Sequence, residues 1–292
     1  MPSARANGIE IEYETYGDRG GRPLLLLRGL STQLIHWDTG LCRALADRGH
    51  YLVIFDNRDV GKTTWFDEAG MPDIAALVAG QSIPLAYGLD DMADDTIGLM
   101  DALELESAHV AGISMGGMIV QAAAIRHPKR VRSLTSVMSS TGGAELPPPS
   151  PAAMESLLTP APDERGPYIE HIVRSQRVIG SPGFPFDEER EADVAARAFD
   201  RAFHPAGSAR QLVAVQAHGD RRPALAKLDV PTLVIHGTGD PLFPIEHGRD
   251  TAASIPGAEL RIIEGMGHDI PRGAHDEIVD AISGLTARVD GH

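Results

Sequence analysis

The 292-residue chain sets 26 Lys and Arg against 41 Asp and Glu, a formal charge of -15, and 42% of its residues are hydrophobic. That balance speaks against a nucleic-acid partner, because phosphate binding needs a basic face. No stretch approaches the roughly 18 uninterrupted apolar residues of a membrane span, and no Gly/Ser-rich or highly charged linker divides the chain into independent domains.

Strand-like runs are predicted at Ile9 to Tyr16, Leu24 to Leu27, Tyr51 to Phe55, Ala108 to Gly112, Val131 to Met138, Thr232 to His236 and Leu260 to Ile263. Helix-like spacing covers Trp37 to Arg48, Met92 to Leu103, Met115 to His127, Glu246 to Ile255 and Asp276 to Leu285. The alternation predicts an α/β fold with a largely parallel sheet and helices on both faces. Asp90, Asp91, Asp94 and Asp95 are expected to solvate helix faces.

The alternation stops near residue 142. Gly142 and Gly143, then Pro147, Pro148, Pro149 and Pro151, break regular structure, since proline supplies no backbone donor. From there to Asp220 the pattern is helical. The expected division is a core of residues 1–141 and 221–292 with a helical cap of residues 142–220, lying as a lid over the carboxyl ends of the strands, where open α/β sheets bind ligands. Phe184, Phe186, Phe199 and Phe203 in the cap either offer an apolar wall to substrate or hold its helices together.

One short stretch carries chemistry. Gly112-Ile-Ser-Met-Gly116 follows a predicted strand and opens a predicted helix, the G-x-S-x-G pattern that presents a serine on a strained turn. Side chains at the two glycines would collide there. A serine hydroxyl needs a base, usually a histidine held by a carboxylate. Asp240 lies just beyond the strand ending at His236, and His268 sits in a glycine-rich turn after the strand ending at Ile263. Each alone has an ordinary structural reading, as turn former or loop residue. Together they give the three residue types after three strands, in the order serine, acid, histidine.

Among the other histidines, His236 is the nearest rival and reads as a packing residue, too close to Asp240 to be delivered separately onto Ser114. Asp269 adjoins His268 and ranks below Asp240, because neighbours in a loop rarely face each other. The developing oxyanion needs two backbone donors. Met115 N–H, after the nucleophile, supplies one, and Leu30 N–H, in the turn Arg28-Gly29-Leu30, is the candidate for the other.

With these residues in view the chain resembles the α/β-hydrolase superfamily. Gly112-Ile-Ser-Met-Gly-Gly117 looks like its nucleophile elbow, and His236-Gly-Thr-Gly-Asp-Pro241 and Gly265-Met-Gly-His-Asp269 look like its acid and histidine loops. Phe55-Asp-Asn-Arg-Asp-Val-Gly61 and Gly29-Leu-Ser-Thr-Gln-Leu-Ile-His-Trp37 are similar to bacterial carboxylesterases akin to the aclacinomycin methylesterases. The resemblance implies an eight-stranded sheet, a helical cap and ester hydrolysis through an acyl-enzyme. Arg28 stands where many members have histidine, a departure that the methylesterase-like branch shares in lacking that histidine. Asp56 is a possible partner for its guanidinium, while Asp56, Arg58 and Asp59 could equally form a structural ion network.

The resulting expectation is a serine hydrolase of small-molecule carboxylic esters, apolar or aromatic rather than highly charged. Ser114 is the nucleophile, His268 the base and Asp240 its orienting acid; no cofactor or metal is required. A lactonase, a C–C bond hydrolase, a cofactor-free perhydrolase or a ligand-binding receptor could use the same fold. The lone Cys42 cannot form an internal disulfide and reads as a packing residue; with no secretory pattern in Met1 to Asn7, a cytoplasmic location is expected. The oligomeric state stays open, a homodimer included.

Overall fold

The computed structural model describes residues 1–291; His292 lies outside them. The first half runs β1 (Ser3–Ala6), β2 (Ile9–Tyr16), β3 (Arg22–Leu27), α1 (Thr39–Asp47), β4 (His50–Phe55), α2 (Ile74–Val78), α3 (Leu89–Ala102), β5 (Ala108–Ile113), α4 (Met115–Arg126) and β6 (Val131–Val137). Four helices follow: α5 (Pro151–Leu158), α6 (Arg165–Ile179), α7 (Glu188–Arg201) and α8 (Pro205–His218). The chain closes with α9 (Arg222–Leu225), β7 (Thr232–Gly237), α10 (Ile245–Ser254), β8 (Glu259–Ile263) and α11 (His275–Asp290).

Eight strands form one sheet in the order β1-β2-β4-β3-β5-β6-β7-β8. β2 pairs antiparallel with β1 and β4, and every later neighbour is parallel. Parallel strands need crossovers, whose helices cover both faces, so inner strands become continuous buried runs. β4, β5 and β7 are buried at every residue. The period of two sorts β3 between two cores: Leu25 and Leu27 join Ile97, Met100 and Ile119 from α3 and α4, while Leu24 and Leu26 join Leu41, Leu45, Ile278 and Ile282 from α1 and α11. Among the described residues no helix is long and apolar enough to cross a membrane.

Three elements have no counterpart in the sequence reading: β1, α2 and the single turn α9. β1, Ser3-Ala-Arg-Ala6, does alternate, but only alanine stands on its inward face, and it is set by its pairing with β2, Ser3 opposite Glu12 to Ala6 opposite Ile9. The short α2 is capped by Asp73, whose side chain accepts from Ala76 N–H, and it buries no residue.

The acidic run of α3 also departs from expectation. Asp94 does face outward, towards Arg126 and His127. Asp95, however, is 3% exposed. It receives Arg58 Nε at 2.6 Å and Nη2 at 2.7 Å and Asn7 Nδ2 at 2.9 Å. A buried carboxylate requires such a partner, and here the partner is supplied from 37 residues away.

Asp56 and Asp59, from the same loop as Arg58, reach the helices between β6 and β7. Arg201 donates to Asp56 at 2.6 Å, and Arg210 grips Asp59 in a two-pronged pair at 2.7 and 2.8 Å. Within the insertion, Tyr168, Phe199 and Phe203 pack in tilted and edge-on contacts with ring centroids 5.0 to 5.6 Å apart, joining α6 to α7.

Asp59→Asn is expected to cost about 3–5 kcal/mol, since it leaves the Arg210 charge buried without its partner. Asparagine tolerates the positive φ of this residue (68°), so the substitution isolates the charge. Burial pushes the Asp59 carboxyl up, but Arg210 and the Phe66 N–H outweigh it and hold the group below its usual range. A carboxyl depressed in the folded state stabilises above its unfolded pKa of ~3.9 and loses that contribution as pH falls through the folded value. Urea unfolding should therefore show a constant gap between wild type and variant from about pH 5 upward, closing below ~4.

Candidate active site

Ser114 joins β5 to α4 with φ 55° and ψ -122°. The turn is possible because its flanks are bare. A Cβ at Gly112 would lie 2.1 Å from Gly116 O, one at Gly116 2.4 Å from Leu27 O, and one at Gly117 2.5 Å from Ser139 Cβ. Backbone therefore packs on backbone beneath the serine. Ser139, just beyond β6, donates its hydroxyl to Ser114 O at 2.8 Å, and Ser114 N–H donates to Val137 O at 3.0 Å.

The three predicted side chains meet. Ser114 Oγ lies 2.9 Å from His268 Nε2, and His268 Nδ1 lies 2.8 Å from Asp240 Oδ2. A carboxylate only accepts, so Nδ1 carries the imidazole proton and Nε2 is free to accept from the serine. The other Asp240 oxygen receives Leu242 N–H and Phe243 N–H, each at 2.8 Å. Burial raises the Asp240 carboxyl, but His268 and the Phe243 amide outweigh burial and hold it below the ordinary carboxylate range. It stays anionic at neutral pH.

His236 is fully buried behind this pair. Its Nε2 donates to Phe243 O at 2.8 Å and stands 3.7 Å from Asp240 Oδ2; burial pushes the imidazole down, favouring its neutral form. Asp269 turns away from Ser114 and receives the Ser181 hydroxyl instead. Cys42 is buried in the core and its thiol is pushed up to about 12 by burial.

The turn after β3 passes beside Ser114, where a Cβ on Gly29 would lie 3.1 Å from Ser114 Cβ. Among the described residues neither Leu30 N–H nor Met115 N–H has a hydrogen-bond acceptor. Met115 follows Ser114 directly, and Leu30 follows Gly29, which passes beside Ser114. Two side chains hold the turn in place: Asn57 Nδ2 donates to Arg28 O at 3.1 Å, and Gln211 Oε1, from α8, accepts from Ser31 N–H at 2.9 Å. Neither was legible beforehand, because a lone Asn or Gln at sequence separations of 29 and 180 leaves no local pattern.

Asp56 is not the partner of Arg28. Its oxygens are taken by Leu34 N–H, Lys62 N–H and Arg201. The Arg28 guanidinium lies instead over the Trp37 ring, 4.9 Å from its centroid, with Nε 3.4 Å from Thr32 Oγ1. Burial, reinforced by Arg190, lowers it to about 10, so it remains charged at neutral pH.

Phe243 sets its ring edge-on to His268 with centroids 5.5 Å apart. Phe199 and Phe203 are engaged with Tyr168, the second of the two roles open to the cap aromatics. A groove of about 610 Å³ between the Ile35–Gly40 turn, α7 and the start of α11 has none of Ser114, Asp240 and His268 in its wall. Among the described residues no group of three or more His, Cys, Asp or Glu side chains is arranged to hold a metal ion.

Known proteins share this framework. The family model for the alpha/beta hydrolase fold matches residues 22–168 and 175–271. Rhodomycin D methylesterase DauP of Streptomyces sp. (strain C5) is 28% identical, with 98% of each chain covered. Non-heme chloroperoxidase CPO-A1 of Kitasatospora aureofaciens is 29% identical over 90% of each. The solved structure of the enol-lactonase from Burkholderia xenovorans LB400 superposes with a TM-score of 0.69 at 23% identity, covering 100% of both chains, a likeness of fold.

Proposed function

The chain belongs to the alpha/beta hydrolase fold family, and from that premise we propose that it is a serine hydrolase cleaving carboxylic esters through an acyl-enzyme. The observation that carries this reading is the continuous relay from Ser114 Oγ through His268 to Asp240, at 2.9 and 2.8 Å. Its similarity to a rhodomycin D methylesterase supports an ester as substrate.

In this mechanism His268 Nε2 takes the serine proton as Oγ attacks the ester carbonyl. Asp240 stabilises the imidazolium that results. The negative charge gathering on the carbonyl oxygen is received by Leu30 N–H and Met115 N–H, one such donor contributing about 10²–10³ in rate. Collapse expels the alcohol, which takes the proton from His268 and leaves the acyl group on Ser114. Water, deprotonated by the same imidazole, then releases the carboxylic acid and restores the serine.

Residues 142–220 act as the cap of this site, while residues 1–141 and 221–292 supply the relay. Two contacts support that division: Gln211 on the oxyanion turn, and Ile179 O accepting from His268 N–H at 2.7 Å. An apolar or aromatic small-molecule ester suits the site, because Phe243 flanks His268 with its ring.

A fluorophosphonate probe followed by peptide mapping should label Ser114 in the folded protein. Acyclic p-nitrophenyl esters should turn over faster than lactones or β-diketones. An unlabelled Ser114 overturns the enzyme proposal, and a preference for lactones or β-diketones reassigns the reaction.

A further inference from the structure

His268 sits in a glycine-rich loop. Gly265 has φ 71° and Gly267 lies next to the histidine, and glycine has the most conformational freedom to lose. A base must nevertheless stay within hydrogen-bond reach of its nucleophile. Inside the loop Met266 N–H reaches Ile263 O at 3.4 Å, and further restraint comes from outside it.

Part of it comes from the acid loop, where Gly239 N–H donates to Met266 O at 2.9 Å and Thr238 Oγ1 accepts from Gly265 N–H at 2.9 Å. The rest comes from the end of α6 and the residues after it. Ile179 O accepts from His268 N–H at 2.7 Å, and Gly183 N–H donates to Gly265 O at 2.9 Å. A Cβ on Gly267 would lie 2.2 Å from Gly180 O, so the two backbones touch with no room between them.

One side chain spans the histidine from both sides. Ser181 Oγ accepts from Gly267 N–H at 2.8 Å and donates its proton to the Asp269 carboxylate. Both the acceptor and the donor capacity of the hydroxyl are used, on the residues immediately before and after His268. A serine serving only to end α6 would bond its own helix, whereas here the helix end is met by Gly180 N–H on Gln176 O.

We propose that Ser181 is a positioning residue for His268, clamping residues 267 and 269 so that the imidazole bridges Ser114 and Asp240. The inference rests on the relay proposed above, and it makes the inserted segment part of the catalytic geometry rather than only a cover. Ser181 touches no reacting atom. Its effect reaches the reaction through the direction of the His268 ring.

The test compares wild type, Ser181→Ala and Ser181→Thr with p-nitrophenyl acetate, and follows the His268 Nδ1 proton by NMR. A misplacement of about 1 Å far from the chemistry can cost about 10²-fold, so the alanine variant should lose about 10- to 100-fold in kcat with KM within about threefold. Its Nδ1 proton resonance should broaden or vanish, while threonine, which keeps the hydroxyl, should restore the resonance and most of kcat. Ser181→Cys, close in size but a weak hydrogen bonder, carries the same comparison if the alanine chain does not fold. A kcat within about twofold of wild type with an unaltered resonance overturns the proposal. The NMR reading needs no turnover, so a wild-type protein inert towards esters would defeat the ester proposal while the clamp remained measurable.

Discussion

Ser114→Ala is expected to lower kcat for a p-nitrophenyl ester by at least about 10⁴-fold, roughly 5.4 kcal/mol of transition-state stabilisation. No other hydroxyl is held at hydrogen-bond distance from His268 Nε2 among the described residues, so nothing can take over the attack. The fold should survive the change. Alanine at φ 55° suffers the same backbone strain as serine, and the Ser139 hydroxyl and Val137 carbonyl bond the backbone of residue 114, not its side chain. The urea midpoint should therefore hardly move while activity disappears. Activity retained within about tenfold would put the nucleophile elsewhere.

The second large effect belongs to Asp240→Asn, expected at about 10⁴-fold in kcat near neutral pH. The geometry gives the reason. One carboxylate oxygen accepts two backbone amides, from Leu242 and Phe243, and the carboxamide oxygen must take that place because only it can accept. Its NH2 group then faces His268 Nδ1, which has to become the acceptor. The imidazole proton moves to Nε2, opposite Ser114, and a protonated Nε2 cannot receive the serine proton. The folded structure loses little, since both amides stay satisfied. Steady-state rates on purified variant, with the His268 tautomer read from its ring-nitrogen NMR shifts, check both halves. A rate within about tenfold of wild type would remove Asp240 from the relay and make Asp269→Asn the next variant to measure.

The strand ends were legible because their signals are local. β5 and β7 are short apolar runs closed by glycine-containing turns, and Gly112 and Gly116 mark a place where backbone must pass backbone. The fold's parallel core follows from the same alternation, which also put Ser114, Asp240 and His268 beyond three separate strands. What stayed hidden is of another kind. Asp95 looked like one more surface acid until Arg58 covered it, and Arg28 looked like a candidate for Asp56 until Arg201 occupied that carboxylate. Ser181 and Gln211 carried no pattern at all; each acts through a loop far away in the chain.

Local pattern was enough for most of the strands and helices, the strained serine turn and the types of residue available beyond the strand ends, because hydrophobic period, glycine and proline act over a few neighbouring residues; β1 and the short α2 and α9 escaped it. Only the tertiary structure decided which of those residues meet. The distance from Ser114 to His268 spans 154 positions of chain and is closed by the sheet order, which sets β5 and β6 beside β7 and β8. Buried charges then choose partners by desolvation, which penalises any ion left alone. That selection takes place in the packed interior, after the local pattern has been spent.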